Sequence, residues 1–193
     1  MSAETNIPLS EKAALRGEPS YTWRAGQERR LAMIRQFAEE RIHGLILEDG
    51  CGVGEYLLRL QEQAKLAVGL DVDFERVLVS RQKRVTVHLA TGEALPYCAG
   101  LFDLVVSNEV IEHVQDDRQA VTEMIRVLKP AGRLILFCPN RGYPFETHGI
   151  YWKGKCHFGN KFLVNYLPDR WRNKLAPHVR AYRRKDLEKL FEG

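Results

Sequence analysis

The stretch that decides the fold runs from Leu45 to Gly54 and reads Leu-Ile-Leu-Glu-Asp-Gly-Cys-Gly-Val-Gly. Its first part, Leu45–Glu48, is a short apolar run that ends in an acid, which is typical of a buried strand. Gly50, Gly52 and Gly54 then precede a segment with helical periodicity. Glycine lets the backbone turn tightly and lets a ligand approach the amides, and the helix that follows presents a partial positive charge at its amino terminus. The stretch therefore predicts a strand, a ligand-binding turn and a helix.

The acid at the start of this turn indicates the charge of the ligand. A dinucleotide-binding turn carries the pattern GxGxxG, but the position of its third glycine is occupied by Glu55. Glu48 would repel a pyrophosphate, whereas an ammonium group would be attracted. We therefore expect a zwitterionic or cationic ligand, and the pattern disfavours a nicotinamide-dependent oxidoreductase. A strand-to-helix turn without any ligand is the plain alternative.

Strands and helices alternate along the chain on both sides of the turn. Strands are predicted at 45–48, 66–71, 85–89, 102–107 and 133–138. Helices are predicted at 27–42, 55–64, 74–83, 115–128, 160–175 and 184–191, with a long loop over 139–161. The strands are nearly continuous apolar runs, which suit a parallel sheet covered on both faces. Alternation with short loops predicts a doubly wound α/β sheet.

A second acid follows the next predicted strand. Asp71 ends the run Gly69-Leu70-Asp71, about 20 residues beyond the glycine turn, and suits a bidentate hydrogen bond to ribose hydroxyls. Asp73 precedes a predicted helix, where a carboxylate can accept from free backbone amides. Asp71 is therefore the predicted ribose ligand and Asp73 the predicted helix cap.

Composition and charge restrict the class of protein. The 193 residues are 45% hydrophobic and 28% charged, which is ordinary for a globular chain and indicates one domain. No signal peptide and no apolar run of the ~20 residues that a membrane helix needs are visible. The four cysteines, at positions 51, 98, 138 and 156, lack the spacing of a zinc site. We expect reduced thiols in the cytoplasm and no metal.

Positive charge is concentrated near the end of the chain. Residues 153–185 contain ten Lys or Arg and one acid, Asp169, so this stretch has a net charge of +9. The whole chain has a net charge of +4. The remainder therefore carries −5, and the basic stretch indicates an anionic partner or substrate. A solvated helix face is the alternative.

Five motifs together resemble the class I S-adenosylmethionine-dependent methyltransferases, of the type 11 kind, over about residues 31–140. They are, in chain order, ILEDGCGVG, VGLDVD, ATGEALPY, FDLVVSNEVIEHV and RVLKPAGRLILFCPN. The resemblance implies a Rossmann-like fold with strand order 3-2-1-4-5 and S-adenosyl-L-methionine as cofactor. Members of the family usually end in a further strand pair, which we expect this chain to lack, leaving the fifth strand at an edge unless the segment after Asn140 covers it.

The resemblance also implies a set of cofactor contacts. Glu48 and the turn would face the methionine moiety, Asp71 the ribose, and Val72 the adenine. The remaining turn residues are Gly50, Cys51, Gly52 and Gly54. The adenine edge would be lined by Thr91, Gly92 and Glu93, and the methionine part approached by Ser107 and Asn108. The family often has an acid at the position of Thr91, so the adenine contact here would pass to Glu93.

The acceptor side is predicted from titratable residues beyond the strands. Methyl transfer from a sulfonium mainly needs alignment, with a base only where the acceptor loses a proton. His148 and His113 are the predicted catalytic residues, with Glu146 and His157 as further candidates. A structural role for His113, and an ordinary surface loop around His148, stay open.

The predicted acceptor is a small or lipid-linked molecule, anionic in view of the basic stretch. Aromatic residues among the basic ones also suit single-stranded nucleic acid, which is the minority alternative. A further alternative is a cofactor-binding partner without catalysis.

Residues 1–24 are predicted to be an arm, 25–140 the cofactor-binding core, and 141–193 the acceptor-side loop and helices of the same domain. Tyr21, Trp23 and Arg24 are predicted to close over the cofactor, and Arg24 or Arg29 to meet its carboxylate. Packing of Trp23 into the core is an equal alternative.

Overall fold

A computed structural model describes residues 23–153 and 155–192 of the chain. These residues divide into two compact units. The sheet unit comprises 23–110 and 114–137, and the C-terminal unit comprises 111–113 together with the described residues from 138 onward. Tyr21 and most of the predicted arm lie outside the described residues.

The sheet unit alternates strands and helices as predicted. Its helices are α1 (Ala25–Ala38, continued by a 3-10 turn over Glu39–His43), α2 (Glu55–Leu60), α3 (Phe74–Gln82) and α4 (Asp117–Val127). Its strands are β1 (Leu45–Asp49), β2 (Leu66–Asp71), β3 (Thr86–Leu89), β4 (Phe102–Asn108) and β5 (Leu128–Phe137). Every pairing between neighbouring strands is parallel, and the order is β3-β2-β1-β4-β5. The predicted fold class and strand order are confirmed.

The sheet is covered on both faces by apolar side chains, which explains the nearly continuous apolar strands. One cluster joins residues of α1, α2 and α3, such as Leu31, Leu57 and Val77, to the strands. The other joins residues of α4, such as Met124, to Leu47 and Val105 of the neighbouring strands β1 and β4. Alternate residues of a strand point to opposite faces, so both sets must be apolar.

The start of β5 differs from the sequence prediction. Strand β5 begins at Leu128 rather than 133, and its register with β4 shifts between Leu128 and Arg133. Residues 129–132, which separate the predicted helix from the predicted strand, therefore form an irregularity inside the strand, where Ala131 has a left-handed φ of 62°. Among the described residues β5 pairs with β4 alone.

The C-terminal unit is built from short elements. They are β6 (Phe145–Glu146), β7 (Ile150–Trp152), β8 (Lys155–His157), β9 (Lys161–Phe162), a 3-10 turn over Val164–Tyr166, α5 (Asp169–Leu175) and α6 (Arg184–Leu190). Strands β6 and β9 pair antiparallel, as do β7 and β8.

The helix predicted over 160–175 is wrong. Helix α5 covers only its last part, because Pro168 precedes Asp169 and a proline disfavours helical backbone at the residue before it. The helix predicted at 184–191 is confirmed within one residue. A search of the described residues finds no helix with the length and apolar character needed to cross a membrane.

Candidate functional site

Three carboxylates converge at the carboxyl ends of β1 and β2. Glu48 and Asp49 end β1, Asp71 ends β2, and all three side chains are buried. Burial raises the pKa of Glu48 well above its ordinary value, and the charges of Asp71 and Asp49 add to this rise. Glu48 and Asp71, which the sequence assigns to one ligand, are therefore close enough for the charge of one to raise the pKa of the other.

Two of these carboxylates have oxygens without a hydrogen-bond partner among the described residues. They are Oε2 of Glu48 and Oδ1 of Asp49. Burial raises the pKa of Asp49 to about 7, although a hydrogen bond from the Ser107 hydroxyl, 3.3 Å from Oδ2, acts to lower it. A buried carboxylate with a vacant acceptor site is costly unless a donor or cation satisfies it.

The glycine turn between β1 and α2 has the conformation that glycine alone adopts readily. Gly50, Gly52 and Gly54 have φ values of 72°, 54° and 77°. The turn is held to β2 because the Gly52 amide donates to Oδ2 of Asp71 at 2.8 Å. A side chain at Gly50 would also meet Val110, since a Cβ built there lies 2.2 Å from its Cγ2.

Asp71 organises the end of β2 as well as the turn. Its Oδ1 accepts from the Asp73 amide at 2.8 Å. Asp73 in turn accepts from the backbone amides of Glu75 and Arg76, so its predicted role as helix cap is confirmed. Each carboxylate oxygen of Asp71 has a second lone pair, so both oxygens keep the capacity to accept a ligand hydroxyl.

The residues predicted for the adenine edge form a small network of their own. The Thr91 hydroxyl donates to Glu93, whose other oxygen accepts from the Gln115 amide at 2.8 Å. Burial would raise the pKa of Glu93, but these hydrogen bonds outweigh it and lower the pKa. Gly92 lies against Asp49, because a Cβ built there would be 3.0 Å from Oδ1. Val72, beside Asp71, exposes 47% of its surface.

An arginine that the sequence prediction missed lies at the carboxyl end of β4. Arg30 donates to the Asn108 side chain at 2.6 Å and forms an ion pair with Glu109 at 3.1 Å. The assignment of Arg24 or Arg29 to the cofactor carboxylate stays a prediction. Trp23 packs at 5.0 Å against the ring of Tyr56, in accord with the packing alternative.

Three of the predicted acceptor-side residues, His113, Glu146 and His148, meet within the C-terminal unit, whereas His157 is exposed on β8. The rings of His113 and His148 lie 5.4 Å apart, centre to centre. Nε2 of His148 is 3.9 Å from Oε1 of Glu112, and Nε2 of His113 is 4.0 Å from the same oxygen. Glu112 is buried, so two imidazoles and one carboxylate form a compact polar cluster.

A buried ion pair supports this cluster. Glu146 accepts from Arg172 at 2.6 Å, and the two side chains are 1% and 3% exposed. The other Glu146 oxygen accepts from the His148 amide at 3.0 Å and lies 3.3 Å from Nδ1 of its ring. Burial would raise the pKa of Glu146, but His148 and Arg172 outweigh it and lower the pKa to about 2. Glu146 is therefore an ionised anchor for His148.

Comparison with known proteins identifies the family. A family model described as a methyltransferase domain matches residues 47–136. A probable S-adenosylmethionine-dependent methyltransferase of Mycolicibacterium smegmatis is 33% identical over 140 residues, which cover 70% of this chain and 52% of that protein. The crystal structure of YcgJ from Bacillus subtilis is 29% identical with a TM-score of 0.56, covering 58% of this chain and 51% of the other. Residues 47–136 therefore form a methyltransferase domain of the class I S-adenosylmethionine-dependent family.

Another relative of this chain carries a more specific description. The malonyl-[acyl-carrier protein] O-methyltransferase of Salmonella typhimurium is 33% identical over 100 residues, which cover 51% of this chain and 38% of that protein. The chain spans about half or less of the length of the curated relatives it matches.

S-adenosyl-L-methionine is the cofactor of the family, and the residues at the sheet edge fit it. The molecule carries an ammonium and a sulfonium, and Glu48 offers a buried carboxylate oxygen that has no other partner among the described residues. Carboxylates that are buried without a countercharge are stabilised by a cationic ligand. Glu48, Asp71 and the glycine turn are the residues that would hold the cofactor, which supplies a methyl group on a positively charged sulfur.

The C-terminal unit contains functional candidates that the sequence prediction did not select. Glu112 was visible only as the neighbour of His113, and Arg172 only as one charge of the basic stretch. His178 is a third, since its Nε2 lies 3.2 Å from the backbone oxygen of His148 and its pKa is lowered by burial. The one sequence signal available for these three residues was the position of Glu112 directly before the candidate His113.

Proposed function

We propose that this methyltransferase transfers the methyl group of S-adenosyl-L-methionine to a small or lipid-linked acceptor that carries negative charge. One observation supports the cofactor half above all others. The glycine turn of the methyltransferase motif ends β1 beside buried carboxylates, and the vacant oxygen of Glu48 calls for a cationic partner. In this proposal Glu48 and the turn bind the methionine moiety, and Asp71 binds the ribose hydroxyls.

The acceptor half of the proposal draws on the charge of the C-terminal unit. Of the ten basic residues in 153–185, Arg172 is neutralised by Glu146 in the interior. Seven others are exposed, namely those at 153, 155, 170, 174, 183, 184 and 185. Exposed cations favour an anionic partner. The name of the Salmonella relative gives an acyl group on a carrier protein as the substrate of that enzyme, which is compatible with a carboxylate-bearing or carrier-linked acceptor here.

Calorimetric titration with S-adenosylhomocysteine tests the cofactor half. We expect binding at micromolar concentration, no binding of NAD, and a loss of about 1–3 kcal/mol for Asp71→Asn. Asp103→Asn is the matched control, because Asp103 lies near the amino end of β4, away from the carboxyl ends of the strands, and pairs with Lys129 at 2.8 Å. Equal affinities of the two variants would remove Asp71 from the site.

Release of S-adenosylhomocysteine from S-adenosylmethionine tests the acceptor half. The chain is incubated with three acceptor pools, namely small organic acids, acids linked to a carrier or lipid, and RNA. Turnover with either of the first two supports the proposal. Turnover with RNA alone would show that the acceptor is a nucleic acid, and cofactor binding without turnover in any pool would favour a non-catalytic binding module.

A further inference from the structure

The C-terminal unit contains a cluster of three side chains whose potential metal-ligand atoms lie close together. Glu112, His113 and His148 each offer one ligand atom, and these atoms all lie within 4.8 Å of one another. Both histidines direct Nε2 at the same carboxylate oxygen, at 3.9 and 4.0 Å. Residues 112 and 113 reach this cluster from a segment that precedes His148 by 35 positions in the chain.

The distances are close to those that a bound zinc ion requires. Zinc bonds to imidazole nitrogen and carboxylate oxygen are roughly 2.0–2.1 Å, so neighbouring ligand atoms in a tetrahedral site lie roughly 3.3 Å apart. The two Nε2–Oε1 separations of 3.9 and 4.0 Å therefore have to shorten by about 0.6–0.7 Å, and the separation between the histidine nitrogens, which is within 4.8 Å, by up to about 1.5 Å. Rotations of the side chains about their χ angles can bring the ligand atoms closer, because a cation at the centre attracts all three of them.

The environment of His148 prepares its Nε2 as a metal ligand. Its Nδ1 lies 3.3 Å from Oε1 of Glu146, and the other oxygen of Glu146 accepts from Arg172 at 2.6 Å. When the Nδ1–H group donates a hydrogen bond to this carboxylate, the lone pair of the ring is on Nε2, the atom that lies near Glu112. A carboxylate behind a histidine is the usual support for a metal-binding imidazole, since it fixes both the tautomer and the ring orientation.

We propose that Glu112, His113 and His148 bind one Zn²⁺ ion. Two imidazoles and one carboxylate are a donor set that zinc accepts readily. Three protein ligands leave a fourth coordination position, which takes an oxygen ligand such as water or the hydroxyl or carboxylate of a small molecule. The sequence predicted no metal, because its cysteines lack the spacing of a zinc site. The fold supplies the site by joining residues that are distant in the chain.

Titration of the tag-free full chain with Zn²⁺ tests the proposal. The protein is first dialysed against a chelator, and neither S-adenosylmethionine nor an acceptor is present, so the result does not depend on methyl transfer. We expect one Zn²⁺ per chain with a Kd of about 1 μM or lower. His148→Ala and His113→Ala should each weaken binding at least about tenfold, and Co²⁺ should give the visible absorption of a four- or five-coordinate nitrogen and oxygen site.

Two control variants separate this site from casual zinc binding. His157 is exposed in the same unit and Cys156 is its neighbour, so His157→Ala and Cys156→Ser should leave the affinity unchanged. If an alanine variant does not fold, Glu112→Gln replaces the ligand oxygen while keeping the size of the buried side chain, and its loss of Zn²⁺ and of the Co²⁺ spectrum gives the answer. The proposal is overturned if the wild-type chain binds neither ion, or if binding survives in the cluster variants or falls equally in the controls.

Discussion

Asp49 makes the stability of this protein depend on pH in a direction opposite to that of most carboxylates. Its side chain is fully buried, one oxygen receives a hydrogen bond from Ser107 at 3.3 Å, and the other has no partner among the described residues. Burial therefore raises its pKa from the ordinary 3.8 to about 7. A carboxyl whose pKa is raised on folding stabilises the folded state as the neutral acid.

The magnitude follows from the change in pKa. One pKa unit corresponds to about 1.4 kcal/mol, so the rise from 3.8 to about 7 is worth about 4 kcal/mol. Below pH 3.8 the carboxyl is neutral in both states and this contribution is complete. It is lost as the pH rises through about 7, because above that value the folded chain must hold a buried charge.

Urea unfolding at a series of pH values measures this effect. Asp49→Asn keeps the size of the side chain and stays neutral, so the variant should gain about 4 kcal/mol relative to the wild type between pH 4 and pH 8. Asp103→Asn should show no comparable change over this range, because a hydrogen bond from Lys129 lowers the pKa of Asp103 below its ordinary 3.8 and the group is ionised in both the folded and the unfolded state. A constant difference between Asp49→Asn and the wild type across this range would refute the reasoning.

Three further predictions concern stability and are measured as free energies of unfolding. Gly50→Ala should cost several kcal/mol more than Gly100→Ala, because both have a left-handed φ but only the Cβ at position 50 meets a neighbour. Similar losses at the two positions would contradict this. Glu146→Leu should cost about 3–5 kcal/mol by leaving Arg172 buried without a countercharge, and adding Arg172→Leu should recover part of the loss. A double variant less stable than the single one would argue against a simple pair. Asp73→Ala should cost about 1 kcal/mol, since it removes the acceptor for two amides of α3, and an unchanged midpoint would show that water replaces the cap.

The sheet was predictable from the sequence because its causes are local. The strand Leu66–Asp71 begins and ends at the predicted residues, because a buried parallel strand needs an uninterrupted apolar run that is visible in the sequence. Gly50, Gly52 and Gly54 were identifiable because the turn needs left-handed backbone at alternate positions. Where local signals conflict, the prediction failed, as in the segment before Pro168, whose apolar residues pack into a 3-10 turn instead of a helix.

The sequence by itself determined the strand order, through a family resemblance, and the acids that end β1 and β2. It did not determine which charged residues are buried, because charge counting treats Arg172 like its exposed neighbours. Only the tertiary structure pairs Arg172 with Glu146 and brings His113 to His148. Burial and pairing depend on contacts between residues far apart in the chain, and the periodicity of a single segment carries no information about such contacts.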